Sequence, residues 1–242
     1  MKIKTFIKSL TLVAAMSSAN ANAGLIHDWQ LNGNVNDTQG GNDAILLDNS
    51  GLTGDGYNFT ASNGLSVDLT GLTDTETYTI EMALSLTGYQ SSVANSRGRF
   101  SGYQKLIDFK DLQADEGFYA YTDYFYFYDV SPELDDLTFN IDEMMTMTVT
   151  RDGATDEVSA YLNGSLLWRF EDLNNDAIVD SANNRLHFFQ DDITTQAEDA
   201  EGFVDYIRVY DDVRAPVSVP EPTTFMIFAS GIAGLMLRRK SS

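Results

Sequence analysis

Val158-Ser159-Ala160-Tyr161-Leu162-Asn163-Gly164-Ser165-Leu166-Leu167-Trp168-Arg169-Phe170 holds the clearest hairpin signal in the chain. Two β-rich runs flank Asn163-Gly164, a pair suited to a type I′ turn because both central residues take positive φ there. Beyond the turn, Trp168 and Phe170 alternate with Arg169, which places the rings on one face and the guanidinium on the other. Similar runs recur on either side, separated by Gly, Asn and Asp: Leu25–Gln30, Leu65–Val67, Tyr78–Leu86, Lys105–Phe109, Phe118–Thr122, Tyr124–Tyr128, Met145–Arg151, Arg185–Phe189 and Phe203–Tyr210. No long stretch has helical periodicity and no internal repeat is visible. The chain reads as an all-β sandwich.

Several of these pieces follow a familiar order. Asp28-Trp29-Gln30-Leu31-Asn32-Gly33 is followed by Asn36-Asp37, then Tyr78-Thr79-Ile80-Glu81, then Val158–Gly164, then Gly202-Phe203-Val204-Asp205-Tyr206-Ile207-Arg208-Val209-Tyr210. Together they resemble a LamG-like, concanavalin A-like jelly roll over nearly all of residues 25–212. The resemblance implies a sandwich of two curved antiparallel sheets whose first and last strands meet near one edge.

Both ends of the chain carry a different kind of signal. Lys2, Lys4 and Lys8 form a basic region, Leu10–Met16 an apolar one, and Ala21-Asn22-Ala23 a small-x-small cleavage site. Residues 1–23 therefore read as a secretory signal peptide, outside the fold. At the other end, Pro220-Glu221-Pro222 precede an apolar run, Phe225–Leu237, and then Arg238-Arg239-Lys240. This three-part tail, residues 220–242, resembles the PEP-CTERM signal of Gram-negative bacteria. The resemblance implies an exosortase-type transpeptidase as processing partner, an inner-membrane intermediate held by a short C-terminal transmembrane helix, and delivery to the cell surface or its exopolysaccharide matrix. Thr223–Leu237 is only 15 residues, whereas a span usually takes about 17–25. Snorkelling by Arg238, Arg239 and Lys240, the membrane stop, would lengthen it. The alternative is a buried or amphipathic helix, which Gly231, Gly234 and the lack of a polar face disfavour. Residues 214–219 read as the linker between tail and a domain spanning 24–213.

Residues 24–219 hold nine Lys and Arg against 35 Asp and Glu, a net charge of −26. That argues against nucleic acid or anionic lipid as partner, since both need basic surfaces. It favours divalent cations, salt-rich surroundings or plain solubility. Cysteine is absent, so an exported chain must hold itself by its core or a bound metal ion. Thiol catalysis and thiolate metal sites are excluded. His27 and His187 are the only histidines, which rules out a multi-histidine zinc site, and His187 in a strand pattern reads as structural.

Three acidic segments are candidate calcium sites, since Ca2+ takes six to eight oxygen ligands. Sandwiches similar to the one above often bind structural calcium through a carboxylate at the position of Asp205, joined by carbonyls from the N-terminal region. The alternative is an ordinary aspartate paired with Arg208 or solvent. Asp172, Asn174, Asp176 and Asp180 fall at positions 1, 3, 5 and 9 of an EF-hand-like loop, but Ala177 replaces the turn glycine and Asn183 the bidentate acid. A solvated acidic turn is the competing reading. Asp191 and Asp192, with Glu198 and Glu201 nearby in sequence, form the third; acidic loops of this kind often merely repel.

The run Phe118–Tyr128 is the densest aromatic stretch. With no register shift, Tyr119, Tyr121, Tyr124, Tyr126 and Tyr128 share one face while Phe118, Phe125 and Phe127 fill the core. Tyrosines on a sheet offer stacking surfaces with polar tips, which suits carbohydrate; the alternative is that they pack inside. Glycoside hydrolysis needs two carboxylates at fixed separation. Laminarinase-like relatives of the fold carry Glu-x-Asp-x-x-Glu, and the nearest string here, Glu133-Leu134-Asp135-Asp136-Leu137-Thr138, ends in threonine. No catalytic residue is assigned. The expectation is a non-catalytic surface protein that binds or structures exopolysaccharide, with a protein- or cell-binding adhesin as alternative and a diverged glycosidase behind both.

Overall fold

Apolar side chains alternate along nearly every strand, and the two sets of inward positions close on one core. The computed structural model describes residues 24–60, 63–69, 72, 75–87, 103–128, 130, 138–179, 184–193 and 198–216. Residues 1–23, read above as a signal peptide, the C-terminal tail, Asp180, Asn183, Glu133 and Asp135 lie outside them.

One sheet runs β1(Leu25–Trp29), β13(Gly202–Tyr210), β5(Tyr78–Leu86), β9(Met145–Asp152), β10(Glu157–Leu162), β11(Ser165–Glu171), with β3(Tyr57–Phe59) also paired to β13. The other runs β2(Ile45–Leu46), β4(Leu65–Asp68), β12(Arg185–Phe188), β6(Tyr103–Asp108), β7(Gly117–Tyr121), β8(Tyr124–Tyr128). Every strand pairing is antiparallel. First and last strands pair, Trp29 opposite Ile207 and Asp28 opposite Arg208. The architecture is the jelly-roll-type sandwich that the sequence leads one to expect.

Between the layers, Phe118 of β7 lies 5.9 Å from Trp168 of β11, and Phe59 stacks on Phe189 at 3.7 Å. The Trp168 indole also donates to Phe125 O at 3.1 Å, tying the β10–β11 hairpin to the opposite sheet. At the N-terminal edge, Asp37 gathers the chain: its carboxylate accepts from the amides of Asp28, Gln39 and Gly41 and lies 2.6 Å from His27 Nδ1. This ring of donors explains why Asn36-Asp37 follows the first strand so closely in sequence. Burial works to raise the Asp37 carboxyl, but the Asp28 amide, His27 and the Gln39 amide outweigh it and the net shift is downward.

Candidate functional site

In β7, Phe118 and Ala120 enter the core, so Tyr119 and Tyr121 project from the opposite face of the sheet. In β8, Phe125 and Phe127 do the same and turn Tyr124, Tyr126 and Tyr128 outward. The hairpin keeps its register throughout, with Tyr119 opposite Tyr126 and Tyr121 opposite Tyr124. Tyr103 of β6, opposite Tyr121, adds a sixth ring that the sequence reading did not include. Its strand begins two residues earlier than the apolar pattern suggests, and an isolated Tyr after Ser101-Gly102 carries no signal of its own.

The rings touch in series. Centroids lie 4.4 Å apart for Tyr103–Tyr121, 5.5 Å for Tyr121–Tyr124, 6.0 Å for Tyr103–Tyr126 and 6.4 Å for Tyr126–Tyr128. All but Tyr119 are half-buried. Tyr119 is 1% exposed, and its hydroxyl donates to Asp115 O at 2.8 Å. Burial pushes its phenol far above the ordinary range, and the charges of Asp115, Glu198 and Asp191 add to the effect.

Those three acids form the border of the tyrosine face. Asp115, Asp191 and Glu198 each offer one oxygen, and the three oxygens lie within 4.8 Å of one another. Main-chain bonds fix the arrangement: Glu198 N donates to Asp191 Oδ2 at 3.1 Å, Asp191 N donates to Asp199 Oδ1 at 2.9 Å, and Lys105 N donates to Glu198 O at 2.7 Å. Burial raises the Asp115 carboxyl; the Tyr119 hydroxyl and Lys105 oppose it, while Asp191 and Asp192 push the same way. Oxygen-only donors of this kind suit a hard cation such as calcium, with water and carbonyls completing the shell. Asp192, 3% exposed, stands outside the trio. Sequence pointed to Asp191 and its neighbours; Asp115 arrives from a separate loop, and no local spacing announces it.

Lys105 lies beneath this border. Its side chain is wholly buried, with Nζ 2.7 Å from Asp108 Oδ2, donating to Ala114 O at 2.9 Å and standing 5.5 Å from the Tyr119 ring. Gly117 makes room for it, since a Cβ there would stand 2.8 Å from Lys105 Cε. His187 is also buried, its Nε2 2.8 Å from Asp111 Oδ1, in keeping with a structural role.

The structure places the other two acidic segments elsewhere. Asp172 is 1% exposed and turned inward: Arg151 Nε donates to it at 2.9 Å, and the amides of Asp176 and Ala177 donate at 2.7 and 3.1 Å. Its oxygens thus serve a buried guanidinium and the turn itself. Asn174 is exposed and Asp176 half-buried. Asp205 sits at a bulge in β13, between Val204 and Tyr206, and lines an open cleft with Asn32, Gly54, Asp55, Met144 and Phe203. Arg208 pairs not with it but with Asp28 at 3.2 Å and Glu81 at 3.3 Å.

Residues 218–240 match the PEP-CTERM protein-sorting motif. The chain therefore carries an exosortase sorting signal, which marks it for export and delivery to the cell surface. Among the described residues no helix is long and apolar enough to cross a membrane. No curated protein sequence matches the chain. Its fold is similar to that of the Trypanosoma rangeli sialidase in complex with 2,3-difluorosialic acid (TM-score 0.56, 13% identity, 79% of this chain and 32% of that one). It is also similar to the binding domain of botulinum neurotoxin serotype D (0.52, 14%, 79% and 49%) and to botulinum neurotoxin type C (0.52, 14%, 82% and 50%). The chain spans about a third to a half of these proteins, and at such identity the likeness is one of fold.

Proposed function

We propose that this is a non-catalytic surface protein of a Gram-negative bacterium that binds exopolysaccharide through the tyrosine face of β6–β8, with calcium held at its border by Asp115, Asp191 and Glu198. The observation that carries the reading is the unbroken register that sets Tyr121, Tyr124, Tyr126 and Tyr128, with Tyr103, side by side and half-open on one face. Such rings stack on the apolar faces of sugars while their hydroxyls bond the rim. Two of the fold's similar structures involve sugars: the sialidase is bound to 2,3-difluorosialic acid, and cell entry of the type C neurotoxin depends on two ganglioside molecules. A non-catalytic role is supported by the one carboxylate within β6, β7 and β8, Asp108, which is wholly buried against Lys105 and out of a polymer's reach. The adhesin alternative gains where the tyrosines are buried, and only Tyr119 is. Calcium is expected to hold the trio together and so to fix Asp191 and Glu198 beside the sheet.

The test is retardation of the purified protein in gels containing the producer's own exopolysaccharide, with calcium and with EGTA. The wild type should be retarded, and changing Tyr121, Tyr124 and Tyr126 to alanine should weaken binding at least roughly tenfold, since each lost aromatic contact is worth about 0.5–1.5 kcal/mol. Calcium should raise the thermal midpoint of the wild type but not of Asp191→Asn. Unchanged retardation in the triple variant would remove the tyrosine face from the function, and no retardation of the wild type would move protein-partner adhesion to the front.

A further inference from the structure

The charges around the tyrosine face are one-sided, and their sign selects among glycans. Asp115, Asp191 and Glu198 border it on the β6 side, and Asp123 stands in the two-residue turn between β7 and β8, where Tyr121 pairs with Tyr124. The single cation among β6, β7 and β8 is Lys105, wholly buried and closed in by Asp108 and Ala114 O. Lys110, in the neighbouring loop, is turned away to donate to Asn175 O and Ile178 O at 2.6 and 3.3 Å. The acids are felt at the rings themselves. Burial is the main force raising the Tyr103 phenol, with neighbouring phenols and Glu198 adding to it, and Tyr124 is raised by burial, Tyr121 and Asp123.

A uronate or sulfated chain laid on β6, β7 and β8 would meet carboxylates with no exposed cation on those strands to pair with. Arg185, the nearest on the same sheet, is half-buried on β12 beyond β6. A neutral chain would stack and gain from the border only hydrogen bonds of its hydroxyls to the carboxylates. A chain bearing ammonium groups would gain twice, from ring faces that attract cations and from carboxylates beside them. Calcium at the trio would still leave it net negative, so the sign of the selection holds in either state. Resting on the glycan-binding reading above, we infer that the ligand is a polysaccharide with free amino groups, such as a partly de-N-acetylated hexosamine polymer. Asp123 pairs with its ammonium groups and the net-negative border attracts them, while the tyrosines stack on its rings.

The experiment compares binding of the full chain, in mild detergent, to immobilised chitosan, to the same polymer fully N-acetylated, to alginate and to poly-lysine. Chitosan should bind roughly three- to tenfold tighter than its acetylated form at low salt, the range expected of a few partly exposed charge and cation–π contacts. The advantage should shrink as ionic strength rises. Asp123→Asn, which leaves the calcium trio and the rings intact, should shrink that advantage and leave binding to the acetylated polymer unchanged. Changing Tyr121, Tyr124 and Tyr126 to alanine should abolish binding to both. Equal affinity for the two polymers would overturn the charge inference and leave the glycan-binding reading standing. Binding to neither would overturn the inference, and the glycan-binding reading would then stand or fall on retardation by the producer's exopolysaccharide. Chitosan binding that survives loss of the tyrosines, or is matched by poly-lysine, would be attraction to an acidic domain at large and would overturn the inference, as would a preference for alginate.

Discussion

Arg151 is the residue on which one end of the sandwich converges. It is wholly buried on β9, and its guanidinium donates to Asp172 Oδ2, Asp156 Oδ1 and Glu76 O, each at 2.9 Å. Burial works against its charge, but the bond and charge of Asp172 outweigh it and hold the guanidinium protonated. Removing one member of such a pair leaves the other buried and uncompensated, a loss of about 3–5 kcal/mol. Arg151→Met should therefore cost that much in urea unfolding, and adding Asp172→Asn should restore more than about 1 kcal/mol by removing the stranded charge. A single-variant loss under about 1 kcal/mol would mean that water solvates the site. The same pair shows where sequence reading stops at this scale. Asp172, Asn174 and Asp176 have the spacing of a cation loop, and spacing cannot show that an arginine 21 residues earlier lies beneath the first of them. Tyr119 and its partners were legible for the opposite reason, because strict alternation needs no distant residue to assign a face.

Strands followed the same rule. The bounds of β5 and β8 coincide with the runs read from the sequence, since each is long or bounded by a turn and alternates cleanly. β2 and β3, of two and three residues, were missed, because so short a run has no period to detect. The β10–β11 hairpin was legible down to its turn: Asn163 and Gly164 have φ of 50° and 83°, and the Asn163 side chain accepts from Thr146 N at 2.9 Å. A slip between Ala160 and Tyr161 was not legible; it buries Leu167 and Trp168 in succession. With its φ in the left-handed region, Gly164→Ala should cost about 1–2 kcal/mol. Asn163→Ala should cost about as much, through the lost bond and the lost tolerance of positive φ. Unfolding followed by tryptophan fluorescence checks both, Trp168 being the reporter on this hairpin. A turn variant as stable as the wild type would show that the inter-sheet bond to Phe125 O, not the turn, sets the register.

At the scale of the whole molecule, the two ends of function lie on opposite layers. The chain leaves β13 through residues 211–216, which cross the outer face of the other sheet: Thr79 Oγ1 donates to Asp212 O at 2.6 Å and Arg214 N donates to Thr79 Oγ1 at 2.8 Å. Arg214 also lies over the Tyr210 ring at 4.5 Å, and Thr79, Glu81, Thr148 and Tyr210 line a cleft with Val213, Arg214, Ala215 and Pro216. The sheet carrying the tyrosine face is the far layer, so attachment through the C-terminus would present that face away from the point of attachment. This strap also sets a distance. From Pro216 to Pro220 the chain can reach at most roughly 14 Å, at about 3.3–3.6 Å per residue, so the folded domain stands close to any enzyme acting at the sorting motif. A flexible insert of ten Gly and Ser residues between them should therefore speed processing, read as the ratio of cleaved to uncleaved chain in a pulse-chase. Thr79→Ala with Arg214→Ala, which frees the strap, should speed it less. The strap gives back only a few residues, whereas the insert about triples the reach. Equal processing rates in all three chains would mean that the domain does not crowd the motif, and that the strap serves only to seal the edge of the sheet.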